Sequence, residues 1–271
     1  MQHRKPIFRS VLAASAAASL IFAASAQADE NSDQSNKGWD ITIGAGAASM
    51  PKYPGSDQQR TRALPYVNIS YGRYFFGGES TAGIGGIGAY LYQDAHWRIG
   101  AAVSPGGGFK ERKESDDPRL RGLGNIDATT RVGGFASYTL DWLTASASVS
   151  TDVGGNRQGT VATLGVTARW QPIDRLTLNA GPSVTWSNSE YMQTFFGIDA
   201  EQALRSGRPQ YRAGGGVSSV GLSASAHYRL NDHWGIGAFV SASRLQGDAK
   251  DSPITQDKAQ NVFGAFSTYH F

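Results

Sequence analysis

The chain has 271 residues, 34 glycines, 25 Lys and Arg against 22 Asp and Glu, and no cysteine. Disulfides and thiolate metal sites are therefore excluded. The small positive balance comes from residues 1–28, whose Arg4, Lys5 and Arg9 leave 22 charges of each sign behind them, so the charge gives no argument for nucleic-acid binding.

Residues 1–28 read as a signal peptide: a basic start, a short apolar run over 11–24, and Ala26-Gln27-Ala28 as the cleavage site. The run falls short of the roughly 20 residues that a spanning helix needs. Residues 29–38 are a polar segment placed in the periplasm, and 39–271 carry the folded unit. From Trp39 the sequence alternates with a period of two. Predicted strands cover 39–48, 64–70, 74–77 and 83–92. Clean alternation follows from Trp97, Leu143, Leu176, Val220 and Trp234, and noisier strands cover 126–140 and 160–170. The last strand, 260–271, ends on Phe271 with Tyr269 two residues earlier. That ending resembles the closing strand of bacterial outer-membrane barrels.

One face of these strands is apolar, while the other is Gly, Ser, Thr and Asn, with Lys and Glu confined to loops. A soluble sandwich would put charge on its outer face. Apolar residues outside and small or polar ones inside suit a closed barrel in lipid, where an open edge is too costly. The expected fold is an all-β, antiparallel up-and-down transmembrane barrel of 12 strands. Ten is the alternative if the hairpin around Gly72 lies outside the wall. Counted as twelve, the long connections (50–62, 78–82, 105–124, 152–158, 188–219 and 245–259) fall on one end and the tight turns (71–73, 93–96, 141, 171–174 and 230–233) on the other. The short-turn end is the periplasmic one. Trp39, Trp97, Trp142, Trp170 and Trp234 gather there with Tyr269 and Phe271, as an aromatic girdle would. This places the protein in the outer membrane of a Gram-negative bacterium, in contact with its lipid and lipopolysaccharide.

Three stretches match more than an architecture. The first is Tyr53-Pro54-Gly55-Ser56 with Leu64-Pro65-Tyr66 and Arg73-Tyr74-Phe75-Phe76. The second runs from Asp117, Pro118, Arg119 and Leu120 to Asp127. The third holds Tyr191, Met192, Phe196 and Gly197, then Gln202-Ala203, Ser206-Gly207 and Tyr211, with Ser252 and Pro253 further on. Together they resemble the MipA/OmpV family of outer-membrane proteins over essentially the whole exported chain. The resemblance implies a non-enzymatic barrel. It also implies a scaffold role, bridging a membrane-bound lytic transglycosylase and a class A penicillin-binding protein in peptidoglycan synthesis; other members are described as adhesins. No catalytic residues, cofactor or metal come with the family.

Chemistry in the residues themselves is sparse. Gly83 to Gly88 fits G-x-G-x-x-G but lies in a strand with no helix after it, so wall glycines explain it better than a nucleotide site. Ser225 and His227 share a face but stand about 6–7 Å apart along the strand and lack a third member. Arg98, Arg131, Arg169, His227 and Arg229 face the lumen in this register. They could line an anion-favouring channel or simply fill the interior. The run 110–117 reads as a solvated mixed-charge loop, with cations or lipopolysaccharide phosphates as its functional alternative. A short helix is expected over 199–205 from an Asp cap. Tyr191, Met192, Phe195 and Phe196 are expected to be buried, since exposed they would form an apolar patch.

Overall fold

The structure, a computed structural model, describes residues 38–77, 85–104 and 111–271. The signal peptide and most of the polar segment after it lie outside the described residues. Twelve strands run in chain order: β1 Trp39–Pro51, β2 Gln59–Tyr71, β3 Tyr74–Gly77, β4 Gly86–Gln93, β5 Trp97–Ser104, β6 Arg131–Leu140, β7 Leu143–Asp152, β8 Thr160–Ile173, β9 Leu176–Ser187, β10 Gly216–Arg229, β11 Trp234–Leu245 and β12 Ala259–His270. Each pairs antiparallel with its neighbours in sequence, and β1 pairs with β12, which closes the barrel. The four-residue β3 is in the wall, bonded to β2 and β4, so the count is twelve.

The seam runs from Thr42 opposite His270 to Ser49 opposite Phe263. The Phe271 N–H adds a bond to the Ile41 carbonyl at 3.0 Å. At one end the turns are tight. Tyr71 faces Tyr74 across Gly72-Arg73, and Leu140 faces Leu143 across Asp141-Trp142. Such two-residue turns need a left-handed first residue: glycine supplies it at Gly72 (φ 57°), and an aspartate tolerates it at Asp141 (φ 48°). The opposite end carries every long connection.

Alternation sorts the side chains. Ile43, Ile87, Val103, Val132, Leu164, Leu222, Val240 and Phe263 stand exposed on the outer wall, as a lipid-facing surface requires. The inner face is not simply polar. Phe75, Tyr90 and Phe135 form one buried cluster, and Ala48, Leu64, Phe239 and Phe266 another. The rings lie against glycines of neighbouring strands: Phe75 over Gly88, Phe135 over Gly100, Phe266 over Gly237, and Phe239 over Gly264. A side chain at any of these glycines would stand in the ring's place. Gly88, part of the G-x-G-x-x-G run, thus serves the wall.

Several boundaries differ from those expected. Pro51 pairs with Gln59, so the first loop shrinks to 52–58. Strand β8 runs on to Ile173. Strand β10 starts at Gly216, with a bulge between Val217 and Ser219. The expected strand over 126–140 begins only at Arg131, because Ile126 pairs instead with Arg112 outside the wall.

Candidate functional site: a cap of outer loops

The long connections fold into one body. After β9, Asn188 accepts the Tyr191 N–H at 3.0 Å and starts helix α1, Ser189–Phe196. Helix α2, Ala200–Ser206, opens with a reciprocal capping box. Asp199 accepts from the Gln202 N–H at 2.7 Å, and the Gln202 side chain accepts from the Asp199 N–H at 2.9 Å. Gly207, at φ 69°, ends it. The helix expected over 199–205 is therefore present, shifted by one residue to Ala200–Ser206, while nothing in the sequence reading anticipated α1. Helix α3, Gly247–Asp251, lies in the loop before β12.

Two apolar cores hold these loops together. One gathers Ile126, Met192, Phe195, Phe196, Ala213, Leu245 and Ala249. The other gathers Tyr53, Leu120, Leu123, Ile198 and Ile254. In the second core, Tyr53 comes from the β1–β2 loop, Leu120 and Leu123 from β5–β6, Ile198 from β9–β10 and Ile254 from β11–β12. The first three of these loops leave a twelve-stranded ring four strands apart, a third of the circumference each. Their side chains can share one buried core only by reaching inward over the mouth. Leu120 and Ile198 are wholly inaccessible there, at 0% exposure.

Polar contacts follow the same geometry. Arg119 grips two carboxylates, with Nη2 2.5 Å from Asp57 Oδ1 and 2.7 Å from Asp117 Oδ2, and so ties the β1–β2 loop to the β5–β6 loop. These bonds from Arg119 hold both carboxyls below their ordinary range. Arg208 donates to the Pro253 and Arg119 carbonyls at 3.1 and 3.0 Å. The C-terminal carbonyls of α1 are claimed from two sides: Arg112 Nη1 donates to Phe195 O at 3.2 Å, and Ser252 Oγ to Phe196 O at 2.6 Å. A cation at a helix C-terminus is favourable on electrostatic grounds.

The run 110–117 is the expected solvated loop only in part: Lys113 and Ser115 are exposed. Among its described residues, Arg112 and Asp117 are each 1% exposed, because mixed charge here is spent inside the cap. Sequence reasoning placed Asp117 in a motif and Glu111 and Arg112 in a charged loop without giving them a buried role, and it did not single out Asp57 or Arg208. The Asp117-Pro118-Arg119 spacing, which fits an N-cap at a 3-10 turn, could have flagged the first.

The motif residues converge here. Leu120, Met192, Phe196, Gly197 and Ser252 are buried, Arg119, Tyr191 and Pro253 half-buried, and Pro118 is exposed at the first position of its turn. The tryptophans do not join them. Trp39, Trp97, Trp142, Trp170 and Trp234 are all exposed beside the short turns or the first strand's start, with Phe271 exposed and Tyr269 half-buried near them. Trp39 packs on Tyr71, Trp97 on Tyr138, and Trp234 and Phe271 on Tyr269.

On the inner face, Arg131 is spent on the wall and the β7–β8 loop, donating to Ser150 Oγ, Ser150 O, Gln158 O and Gly159 O at 3.1–3.5 Å. Arg229 reaches Asp174 O at 3.3 Å. Arg98 and Arg169 are half-buried on the same face. The His227 ring lies parallel to Phe266 at 6.1 Å, while Ser225 bonds Asn179 at 3.4 Å instead of His227. The structure brings together no nucleophile and base at this pair. Among the described residues, no cluster of three His, Asp or Glu side chains could hold a metal.

Comparison with known proteins follows this geometry. The family model described as MltA-interacting protein MipA matches residues 43–271. YiaT of Escherichia coli (strain K12), a protein named for the outer membrane, is 28% identical over 252 residues, spanning 93% of this chain and 95% of its own. Outer membrane protein Omp26La of Vibrio anguillarum is 34% identical over 88 residues, 32% of this chain and 34% of its own. Among solved structures, a FadL homologue of Pseudomonas aeruginosa aligns at a TM-score of 0.42 and 12% identity, covering 85% of this chain and 89% of that one. The COG4313 outer membrane channel of Pseudomonas putida F1 aligns at 0.41 and 9%, covering 89% and 100%. At these scores the likeness to either carries no argument. The chain belongs to the family of the MltA-interacting protein MipA and is an outer-membrane β-barrel.

Proposed function

We propose that this protein is a non-enzymatic, mouth-capped barrel that serves as a docking scaffold in the outer membrane, not as an open channel. The observation that carries this reading is the buried core of Tyr53, Leu120, Leu123, Ile198 and Ile254, drawn from loops spread around the mouth. The inner wall supports it. Phe75, Tyr90, Phe135, Phe239 and Phe266 are only 3–8% exposed. A ring lying on the wall turns its other face to the lumen, so such low exposure means that this face is covered too. Water-filled pores are lined differently, by polar side chains in contact with solvent.

The family's description names MltA, a lytic transglycosylase, as a partner, and a class A penicillin-binding protein would be the second. The motif residues are occupied in holding the cap, so they do not mark where a partner binds. The short turns beyond the tryptophans are the surface that this reading offers to the periplasm. In this reading the tryptophan belt seats the barrel in the membrane, and the inward arginines fill it. A small-solute channel, the alternative, draws on the half-buried Arg98 and Arg169.

The test is retention of a purified lytic transglycosylase or penicillin-binding protein on the immobilised full-length protein. Retention that survives substitution of cap residues supports docking at the periplasmic rim. Recovery of neither enzyme overturns the scaffold reading.

A further inference from the structure

The lipid-facing wall is not evenly filled. Ile43, Leu222, Val240 and Phe263 stand exposed on β1, β10, β11 and β12. Among them Ala45, Ala238 and Ala265 leave a groove of about 570 Å³, beside which stand Leu176, Tyr228 and Ile236. The register makes it continuous. Leu176 pairs with Tyr228, Tyr228 with Ile236, Ile236 with Ser267, and Ser267 with Ala45, across five strands. A groove of this size falls within the roughly 300–1,000 Å³ of small-ligand sites. Its lining is apolar, so a hydrocarbon chain is what suits it in a membrane. The groove also reaches the periplasmic turns. Leu176 directly follows Asp174-Arg175, and Ile236 stands about 6–7 Å along β11 from Trp234.

Charge at those turns indicates the headgroup. Asp174, Arg175, Asp232 and His233 are all exposed, and among the described residues none of their side chains forms an ion pair. The His233 Nδ1–H donates to the His270 carbonyl at 2.9 Å, which leaves Nε2 of the neutral ring as an acceptor. The ring stacks on Tyr269 at 5.5 Å, and Trp234 packs on the same Tyr269 at 5.1 Å, at the level where headgroups lie. An arginine suits a phosphate. A carboxylate with an imidazole acceptor and aromatic rings suits an ammonium.

The opposite side of the ring provides an internal control. There Asp94 accepts the His96 and Trp97 N–H groups at 2.8 and 2.6 Å, as Asn231 accepts those of His233 and Trp234 at 3.0 and 2.7 Å. His96 and Trp97 pack on Tyr138 as His233 and Trp234 do on Tyr269. But Gly72 stands where Asp174 does, Ala95 where Asp232 does, and Asp94 spends its carboxylate on its own turn and on Tyr92. The aromatic seat is thus common to both sides, whereas the free carboxylates belong to one.

We propose that the groove and its two turns form a site for one glycerophospholipid with an ammonium headgroup: an acyl chain in the groove, the phosphate on Arg175, and the ammonium between Asp232 and His233. The site lies on the outer wall and depends neither on the cap nor on a docking partner.

Native mass spectrometry of the full-length protein, released from micelles carrying equal phosphatidylethanolamine and phosphatidylglycerol, tests this. One phosphatidylethanolamine should stay bound, favoured over phosphatidylglycerol by about fivefold or more. Arg175→Ala should lower retention of both lipids by about fivefold, and Asp232→Asn should erase the preference. Ala238→Leu fills the groove with a side chain that a lipid-facing wall tolerates. It should abolish retention with unchanged heat-modifiable migration, while Ala101→Leu, at the matching place in the other half, should leave retention intact. No retained lipid, equal retention of the two lipids, retention undisturbed by Arg175→Ala or Ala238→Leu, or equal loss in Ala101→Leu would each overturn the proposal.

Discussion

Single residues decide how firmly the mouth is shut. Ile198 is wholly buried where four loops meet, so Ile198→Ala should cost the cap about 2–5 kcal/mol. The readout is faster exchange of cap amides with unchanged heat-modifiable migration of the barrel. Equal loss in wall strands would show that cap and wall are one cooperative unit. Acid should loosen the cap through Arg119 and its two carboxylates. Asp57 and Asp117 are held below the ordinary 3.8 by their bonds to Arg119. Their contribution is fully present above that value and is lost below it, as pH falls through their lowered values. Cap protection that stays flat as pH falls through the carboxylate range contradicts this assignment.

At the scale of elements, the wall strands were legible because lipid leaves one reading of an alternating pattern. Leu222, Ala224 and Ala226 against Ser223, Ser225 and His227 can point only one way. The cap was less legible. Helix α2 announced itself through Asp199 and Gln202, a local signal, but α1 is a single apolar helix whose cap, Asn188, resembles any loop asparagine. Ile126 looked like the start of a strand because its pairing partner, Arg112, is 14 residues away outside the wall. Arg112 and Asp117 looked solvated because charge runs usually are, and only tertiary contacts bury them. The closing strand carries its own prediction. Phe271 extends the seam through Ile41 and packs edge-on to Tyr269 at 4.9 Å. Deleting Phe271 should impair assembly into the membrane and leave the fold of assembled molecules unchanged. Normal insertion of the deletion would refute that role.

For the molecule as a whole, twelve strands enclose a bore that its own side chains narrow twice. Aromatic rings lie on wall glycines at mid-height, and the loops meet over the outer mouth. The family assignment supplies an outer-membrane barrel, and the proposed reading of the cap is that it shuts this barrel. What the sequence could not reveal was whether residues 188–215 cover the mouth, because that depends on contacts among loops a third of the circumference apart. Conductance in planar lipid bilayers at pH 5 tests the closed barrel most directly, with insertion verified by heat-modifiable migration of the recovered protein. The account predicts no steady unitary steps for the intact chain. Steady, reproducible steps at that pH would contradict it.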